Sequence, residues 1–430
     1  MNHLTHRIPG LVLTDHRFTV PLDYARPDGE TISIFAREVV APAHLDAELP
    51  YLIFFQGGPG FASPRPLAST GWLQRALRQY RVILLDQRGT GLSTPVTHQT
   101  LARFQTPQQQ ADYLRHFRAD NIVRDAEHIR RQWLGEAGQW SLLGQSYGGF
   151  CITTYLSLAP AGVREAIITG GLPPVTRTAD EVYRATYQTL TRKNQLYYQR
   201  YPDDMQRVRD IVDFLQSHEV ILPQGDRLTP RRFQQLGLRF GASSGFEETH
   251  YLLEEAFVDG VNGRELAYKF LCEVERASDF QTNPIFAILH ESIYAQGQPT
   301  RWAAERVRAE YPAFDITPDQ PIYFTGEMIY PWMFDEYRHL QPLKAAAELL
   351  AAHADWPPLY DVAALQRVTV PVAATIYYND MYVERTFAEE TARLISGIRL
   401  WITDEYEHNG LRADGERVLD RLLGLLHGEF

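Results

Sequence analysis

The distribution of hydrophobic positions predicts an alternation of strands and helices in the first part of the chain. Residues 50–55 and 81–86 are short, largely apolar runs, as is typical of strands that are buried on both faces of a sheet. Residues 163–169 are a further predicted strand, and residues 69–79 and 120–134 are predicted helices. Because strand and helix alternate without an internal repeat, we expect a parallel sheet with helices on both faces.

An antiparallel hairpin is predicted before these strands. Residues 16–20 and 31–37 have the composition of strands, and the Pro-Asp-Gly sequence at residues 27–29 is typical of a turn between them. The whole sheet is therefore expected to be mostly, but not entirely, parallel.

The alternation stops after residue 174. From about residue 179 to residue 351 the pattern is mostly helical and rich in aromatic and charged residues, without apolar runs of the earlier kind. The helices predicted in this segment are residues 186–200, 203–217, 247–257, 265–277 and 303–310.

Strand patterns return near the end of the chain, at residues 368–377 and 398–403, and an amphipathic helix follows at residues 416–426. The sheet is therefore expected to be interrupted by a helical cap. The predicted division of the chain is a sheet domain at residues 1–174 and 356–430, with the cap at residues 175–355.

Composition and charge limit the classes of function. The chain has 430 residues, of which 44% are hydrophobic, enough for two domains or for one large domain with an insertion. Its net charge of −11 argues against binding to nucleic acid or to an anionic membrane, and it is compatible with cationic ligands. The two cysteines, Cys151 and Cys272, imply neither a disulfide framework nor a cysteine-based zinc site.

The N-terminal segment bears on localisation. Residues 1–10 lack the apolar core of a signal peptide, and the apolar runs of the sequence are too short to cross a membrane. We therefore expect a cytoplasmic protein. The sequence leaves the oligomeric state open.

The sequence Gly-Gln-Ser-Tyr-Gly at residues 144–148 lies between a predicted strand, residues 141–144, and a predicted helix that ends near Ala159. Such a pentapeptide occurs by chance in many proteins. Here it has the strand, tight turn and helix of a nucleophile elbow, which exposes the serine hydroxyl at the tip of the turn. We therefore predict Ser146 to be a nucleophile.

A serine nucleophile requires a histidine base and a carboxylate that orients the base. Asp380 follows the predicted strand at residues 368–377, and His408 follows the strand at residues 398–403. In nucleophile-elbow enzymes the order along the chain is serine, acid and histidine, as it is here. The rival carboxylates Asp404, Glu405 and Glu407 lie in the histidine's own loop. Asp380 and His408 are therefore the predicted partners of Ser146.

Two backbone N–H groups are needed to stabilise the oxyanion that forms when a serine attacks a carbonyl group. Tyr147, the residue after the nucleophile, is expected to supply one of them. The glycine-rich loop at residues 56–60 directly follows a buried strand and is expected to supply the other, with Gly58 as the predicted donor. Pro59 has no N–H group to donate.

Three motifs together resemble those of the proline iminopeptidases. They are QGGPG at residues 56–60, DQRGTGLS at residues 86–93 and GQSYGG at residues 144–149. The resemblance implies an α/β-hydrolase fold with an inserted helical cap and a serine peptidase that releases an N-terminal proline, without a metal or organic cofactor. It covers the sheet domain better than the cap. Gln56 departs from the family pattern, in which histidine often begins the loop, and we expect this change to tune the pocket.

The resemblance also implies that glutamates of the cap bind the substrate's charged amino terminus, since a partly buried ammonium group requires a carboxylate partner. The candidates are Glu327, Glu291 and Glu248, and the candidates for the apolar wall of the pocket are Tyr330, Trp332 and Tyr294. Each glutamate could instead be a solvated or ion-paired side chain, and each aromatic residue could belong to the core.

The sequence therefore predicts a serine exopeptidase that acts on short peptides with a free N-terminal proline, or a similar small residue, through an acyl-enzyme. An esterase, lactonase or amide hydrolase of the same fold is the first alternative, because a fold does not determine a substrate. A non-catalytic binding protein that retains a hydrolase pocket is the second. Haloalkane dehalogenase and epoxide hydrolase chemistry is disfavoured, since those enzymes have aspartate at the position of Ser146.

Overall fold

The computed structural model describes residues 4–261, 263–277, 279–318 and 320–429. Within these ranges, nine strands form one sheet, and two others form a separate hairpin. The strands are β1 (Leu4–Ile8), β2 (Leu11–Pro21), β3 (Thr31–Val40), β4 (Tyr51–Phe55), β5 (Arg81–Asp86), β6 (Trp140–Gln145), β7 (Val163–Thr169), β8 (Phe257–Gly260), β9 (Gly263–Leu266), β10 (Val372–Tyr377) and β11 (Arg399–Thr403).

The strand order of the large sheet is β1-β2-β3-β5-β4-β6-β7-β10-β11. The first three strands pair antiparallel with one another, and β3 pairs antiparallel with β5. From β5 to β11 the neighbouring strands are parallel. The prediction of a mostly parallel sheet with an antiparallel edge is confirmed. The carboxyl ends of β4, β6, β10 and β11 consequently lie at the same edge of the sheet.

The α-helices of the described chain are α1 (Gly71–Ala76), α2 (His98–Leu101), α3 (Pro107–Leu114), α4 (Ala119–Leu134), α5 (Tyr147–Leu158), α6 (Ala179–Arg200), α7 (Asp204–Ser217), α8 (Pro230–Gln234), α9 (Gly245–Glu254), α10 (Tyr268–Arg276), α11 (Pro284–Ile288), α12 (Ala303–Arg308), α13 (Met333–Glu336), α14 (Lys344–Ala352), α15 (Val362–Gln366), α16 (Arg385–Leu394), α17 (Gly410–Ala413) and α18 (Gly415–His427). Short 3₁₀ turns connect several of them.

The central strands β4, β5 and β6 are largely apolar because both faces of the sheet are covered. In β4, Leu52 and Phe54 belong to the core on one face, while Ile53 and Phe55 belong to the core on the other. The core that contains Leu52 and Phe54 is closed by α1 and α18. The apolar residues of α18 recur at helical spacing on one face of the helix: Val418, Leu419, Leu422, Leu423 and Leu426. The second core includes α4, α5 and the segment between β7 and β10.

The segment between β7 and β10 is mostly helical, as predicted, but it also contains the antiparallel hairpin β8–β9. Helices were expected over residues 247–257 and 265–277, whereas α9 ends at Glu254 and α10 begins at Tyr268. The hairpin lies on the surface, so its strands lack the apolar run that identified the others. The limits of the cap at residues 175–355 stay a prediction, and residues 1–3 and 430 of the predicted sheet domain lie outside the described part.

Strand β1 was not predicted either. It pairs only with β2, at the edge of the sheet, and four of its five residues are exposed. An exposed edge strand shows no hydrophobic pattern, which explains the omission. In the described ranges of the chain, the helices are too short or too polar to span a membrane.

Candidate active site

Ser146 lies in the turn between β6 and α5, with φ 56° and ψ −126°. A non-glycine residue rarely adopts a positive φ, so the turn is strained. The flanking glycines make it possible. A Cβ atom on Gly144 would lie 2.5 Å from the carbonyl carbon of Gly148, and one on Gly148 would lie 2.0 Å from the carbonyl oxygen of Phe55. The sharp turn therefore depends on glycine at both positions.

The structure brings His408 and Asp380 together at the same edge of the sheet. Nδ1 of His408 lies 2.6 Å from Oδ2 of Asp380, and both side chains are buried. Of the rival carboxylates, Glu405 pairs with Arg417 and Glu407 pairs with Lys193. Asp380 is thus the carboxylate that holds the imidazole of His408.

The carboxylate of Asp380 is itself fixed by the loop that follows β10. Its Oδ1 accepts hydrogen bonds from the backbone N–H groups of Tyr382, at 2.8 Å, and Val383, at 3.0 Å. The Tyr382 ring packs edge-on against the imidazole of His408, with 4.8 Å between the ring centroids. Backbone donors and an aromatic neighbour therefore set the orientation of the Asp380–His408 pair.

The glycine-rich loop after β4 lies against the nucleophile, since a Cβ on Gly57 would be 3.0 Å from that of Ser146. The N–H group of Gly57 donates to Oε1 of Gln56 at 3.2 Å. Within the described ranges, the N–H groups of Gly58 and Tyr147 have no hydrogen-bond partner. These two N–H groups are available as donors beside the serine, and their role in an oxyanion hole stays a prediction.

Ser146 and His408 both line a pocket of about 310 Å³. Its walls combine residues of the sheet edge with residues from the segment between β7 and β10. The other lining residues are Gly57, Gly58, Phe61, Gln145, Leu238, Gly241, Ala242, Ala277, Asp279, Phe286, Glu327, Tyr382, Asn409 and Arg412. This volume suits a small ligand such as a short peptide.

Of the three predicted glutamates, Glu327 lines this pocket. Burial and the nearby charge of Asp380 raise the pKa of its carboxyl group to about 8. The side chain keeps 18% of its surface exposed, and its Oε2 lies 4.0 Å from Nε2 of the buried His290. Burial lowers the pKa of His290 to about 4, so the imidazole is neutral and leaves the carboxylate without a cationic partner.

The structure does not bring Glu291 to the pocket. Its carboxylate accepts hydrogen bonds from the backbone N–H groups of Ala303, at 3.0 Å, and Ala304, at 2.8 Å, at the start of α12. Burial nevertheless raises its pKa to about 7. The candidate role of Glu291 in binding the substrate's amino terminus is therefore corrected to that of a paired carboxylate, because the helix start engages both of its oxygens.

Glu248 also lies away from the pocket. It is exposed on α9 and accepts a hydrogen bond from the hydroxyl of Ser244 at 2.6 Å. It is therefore a solvated helix carboxylate, which was the simpler interpretation of its sequence position.

The predicted aromatic residues are also outside the pocket wall. Tyr330 and Trp332 stack on each other and line a separate cavity, and the Tyr330 hydroxyl lies 2.8 Å from that of Tyr187. Tyr294 is buried between Phe150 and Tyr183. The expectation that these three side chains form the apolar wall is corrected, since core packing already surrounds them. Phe61, Phe286 and Leu238 supply the apolar surface instead.

Several pocket residues were not identified from the sequence. Tyr382 and Arg412 could have been found from their position, because each follows a predicted partner of Ser146 by two or four residues. Asp279 and Phe286 carry no such signal, since they come from the long segment between β7 and β10. Only the packing of that segment on the sheet places them here.

The fold and this arrangement of side chains define the class of protein. Residues 50–235 match the family model of the α/β-hydrolase fold. The mostly parallel sheet with helices on both faces is the architecture of that class. The chain is therefore an α/β-hydrolase.

Two relatives identify the family within this class. The chain is 54% identical to the proline iminopeptidase of Aeromonas sobria over 423 residues, which cover 98% of each protein. It is 36% identical to a proline iminopeptidase of Aspergillus aculeatus, over 99% of this chain and 96% of the relative. The protein belongs to the proline iminopeptidase family.

A solved structure of the proline iminopeptidase of Mycobacterium smegmatis resembles the chain more distantly. It is 14% identical, covers 96% of this chain and 98% of its own, and has a TM-score of 0.43. This likeness is too distant to support a conclusion about function.

Proposed function

We propose that the protein is a serine exopeptidase that releases an N-terminal proline, or a similar small residue, from short peptides. The observation that carries the proposal is that Ser146, His408 and the carboxyl group of Glu327 line one pocket of about 310 Å³. Membership of the proline iminopeptidase family supports the same conclusion.

The acylation step follows from the hydrogen bond between His408 and Asp380. Asp380 accepts the Nδ1–H of His408, which leaves Nε2 free to take the proton from the hydroxyl of Ser146. The serine oxygen then attacks the carbonyl carbon of the first residue. His408 passes the proton to the leaving amine nitrogen as the peptide bond breaks, and the released product begins at the second residue.

The developing negative charge on the carbonyl oxygen requires donors that are already in place. The N–H groups of Gly58 and Tyr147 supply them in this proposal, since they flank Ser146 and have no other partner in the described ranges. Water then attacks the acyl-enzyme, with His408 as the base, and releases the free residue together with the regenerated serine.

Recognition of the amino terminus is assigned to Glu327. An ammonium group that enters the pocket provides the cationic partner that this carboxylate lacks among the described residues, and it thereby lowers the pKa of the carboxyl group. A substrate with an acylated N-terminus has no positive charge there, so it forms no ion pair with the Glu327 carboxyl group and leaves that group desolvated. Exopeptidase specificity thus arises from the charge of the terminus.

The test compares a prolyl arylamide with its N-acetyl form and with a simple aryl ester, using the wild type, E327Q and E248Q. We expect hydrolysis of the prolyl arylamide to exceed that of the N-acetyl form by about 100-fold or more, because the ion pair in the pocket is lost. E327Q is expected to lose activity on the prolyl arylamide by a similar factor while it retains most of its esterase activity.

E248Q is the matched control, since it removes a carboxylate from the same segment but outside the pocket. It should behave like the wild type on all three substrates. Equal rates on the free and N-acetylated substrates would contradict the exopeptidase and favour the esterase or amidase alternative.

A further inference from the structure

An arginine lies on the open side of the same pocket. Arg412 belongs to α17, which begins two residues after His408, and it lines the pocket together with Ser146. Its side chain is exposed, in contrast to the largely buried Glu327. The pocket therefore has an acidic group on its buried side and a basic group at its mouth.

The guanidinium group of Arg412 has no hydrogen bond or ion pair with the parts of the chain that the structure describes. Neighbouring arginines are engaged: Arg417 pairs with Glu405 at 2.6 Å, and Arg385 pairs with Glu389 at 3.2 Å. A guanidinium group presents donors in a planar fork that matches a carboxylate. Arg412 is thus free to bind an anionic group of a ligand.

Asp279 also lines the pocket and lies close enough to Arg412 for the two charges to interact. Partial burial raises the pKa of its carboxyl group, and the charge of Arg412 acts in the opposite direction. The two side chains do not form an ion pair, although both line the pocket. Both side chains are exposed, so this side of the pocket faces solvent.

A substrate of the right length can contact both Glu327 and Arg412. In an exopeptidase that removes one residue, the amino terminus lies on one side of Ser146 and the rest of the peptide extends from the other side toward solvent. A residue spans at most about 3.5 Å, so the carboxylate of a dipeptide ends close to the scissile bond, near the mouth of a pocket this small.

We propose that Arg412 binds the C-terminal carboxylate of the substrate, which makes free prolyl dipeptides the preferred substrates. This inference rests on the proposed function and names its substrate class. A dipeptide zwitterion matches the pocket at both ends, with its ammonium group at Glu327 and its carboxylate at Arg412. Longer peptides place their carboxylate beyond Arg412 and lose this contact.

The experiment measures kcat/KM for a prolyl dipeptide and for the same dipeptide with an amidated C-terminus. The wild type, R412Q, R412K and R417Q are compared at one pH. For each variant we take the ratio of kcat/KM for the acid to kcat/KM for the amide. The two substrates differ in amino-terminal pKa, but this difference is the same for every variant and cancels when the ratios of two variants are compared. R417Q removes a positive charge from α18, next to α17 but outside the pocket.

The expected result is that R412Q lowers the ratio of acid to amide by about tenfold, mainly through KM, as for the loss of a charge-assisted contact. R412K should retain part of the preference, because it keeps the charge without the planar fork. R417Q should keep the wild-type ratio.

An R412Q ratio equal to that of the wild type would overturn this inference. So would an equal loss on the acid and the amide, because that result would assign Arg412 a structural role. If the wild type cleaves the prolyl arylamide but shows no preference for the dipeptide acid, the inference fails and the proposed function stands. If it cleaves none of the prolyl substrates, the proposed function fails as well.

Discussion

The two buried glutamates Glu291 and Glu327 differ in what surrounds their carboxylates. Glu291 accepts two backbone N–H groups at the start of α12, and such a carboxylate belongs to the fold. Among the described residues, Glu327 has only the neutral His290 beside it, at 4.0 Å, and it lines the pocket. A buried carboxylate without donors destabilises the folded protein when it is ionised. Such a destabilising carboxylate is consistent with a group that binds a ligand instead of stabilising the fold.

This difference predicts how pH changes the stability of E327Q. Burial raises the pKa of Glu327 from 4.5 to about 8, so its contribution to stability is fully present below about pH 4.5 and is lost as the pH rises through 8. Relative to the wild type, E327Q should therefore gain about 2 kcal/mol in free energy of unfolding between pH 4.5 and pH 9. This gain is smaller than the free energy that corresponds to the whole pKa shift, because the carboxylate is partly exposed and solvent weakens the effect of burial.

Urea denaturation at several pH values measures this gain, with E248Q as the control. Glu248 is exposed, so E248Q should follow the wild type across the range. A difference between E327Q and the wild type that does not change with pH would contradict the raised pKa.

The sequence predicted some of these residues better than others. The sequence predicts Ser146, Asp380 and His408 because each follows a strand, and parallel strands bring their carboxyl ends to one edge. Their catalytic roles stay predictions, although the structure places them as expected. The pairing of Glu291 could not be predicted from the strand pattern, because the backbone N–H groups that bind its carboxylate belong to a helix that begins twelve residues later.

At the level of elements, the ion pair between Lys193 and Glu407 joins α6 to the loop that carries His408. The two charged atoms lie 2.5 Å apart, and the Lys193 side chain is only 5% exposed. Burial raises the pKa of Glu407, and the charge of Lys193 opposes that shift. Tyr382 makes a second connection, because its hydroxyl donates to the carbonyl of Leu238. Tyr382 belongs to the loop that carries Asp380, so the loops of His408 and Asp380 are each held by the segment between β7 and β10.

Removing Lys193 tests this connection. K193M leaves the carboxylate of Glu407, whose side chain is 26% exposed, without its cationic partner, so we expect a loss of about 2 kcal/mol in the free energy of unfolding. The double variant K193M/E407Q should recover most of that loss, because no unpaired charge remains. The kcat of K193M should fall as well, since Glu407 precedes His408 directly.

Denaturation curves of the wild type, both single variants and the double variant give the coupling energy of the pair. If the two single losses simply add in the double variant, the ion pair does not hold the loop.

Among the elements, those with an apolar run were predicted with little error. β5 and β7 have the predicted limits, whereas the hairpin β8–β9 and the edge strand β1 were missed because solvent covers most of their residues. A hydrophobic pattern arises where residues are buried, so an exposed strand does not have such a pattern. Their hydrogen-bond pairing, which defines them, is not visible in a single sequence.

At the level of the whole molecule, the net charge of −11 surrounds a pocket that is proposed to bind a cation. A negative field raises the local concentration of cationic substrates, and salt screens it. We expect kcat/KM for a prolyl arylamide to fall about threefold between 20 and 500 mM NaCl. An uncharged aryl ester should change little over the same range. Equal salt dependence of both substrates would contradict a contribution from the field.

The order of strands and helices predicted a mostly parallel sheet with a helical insertion, because few topologies accommodate it, and the three motifs added the α/β-hydrolase class. The position of the insertion before β10 was also predictable. The composition of the pocket was not, since seven of its sixteen lining residues come from that insertion and depend on how it packs on the sheet. Leu238, Phe286 and Asp279 are distant from Ser146 in sequence and adjacent to it only in the folded protein.

The most direct test is kcat/KM of S146A on a prolyl arylamide, measured beside the wild type with matched circular dichroism spectra. Removal of the hydroxyl leaves the pocket and the Asp380–His408 pair in place, so only the nucleophile is lost. We predict a fall of at least about 10⁴-fold. Activity of S146A close to that of the wild type would contradict the serine mechanism and, with it, the function proposed for this pocket.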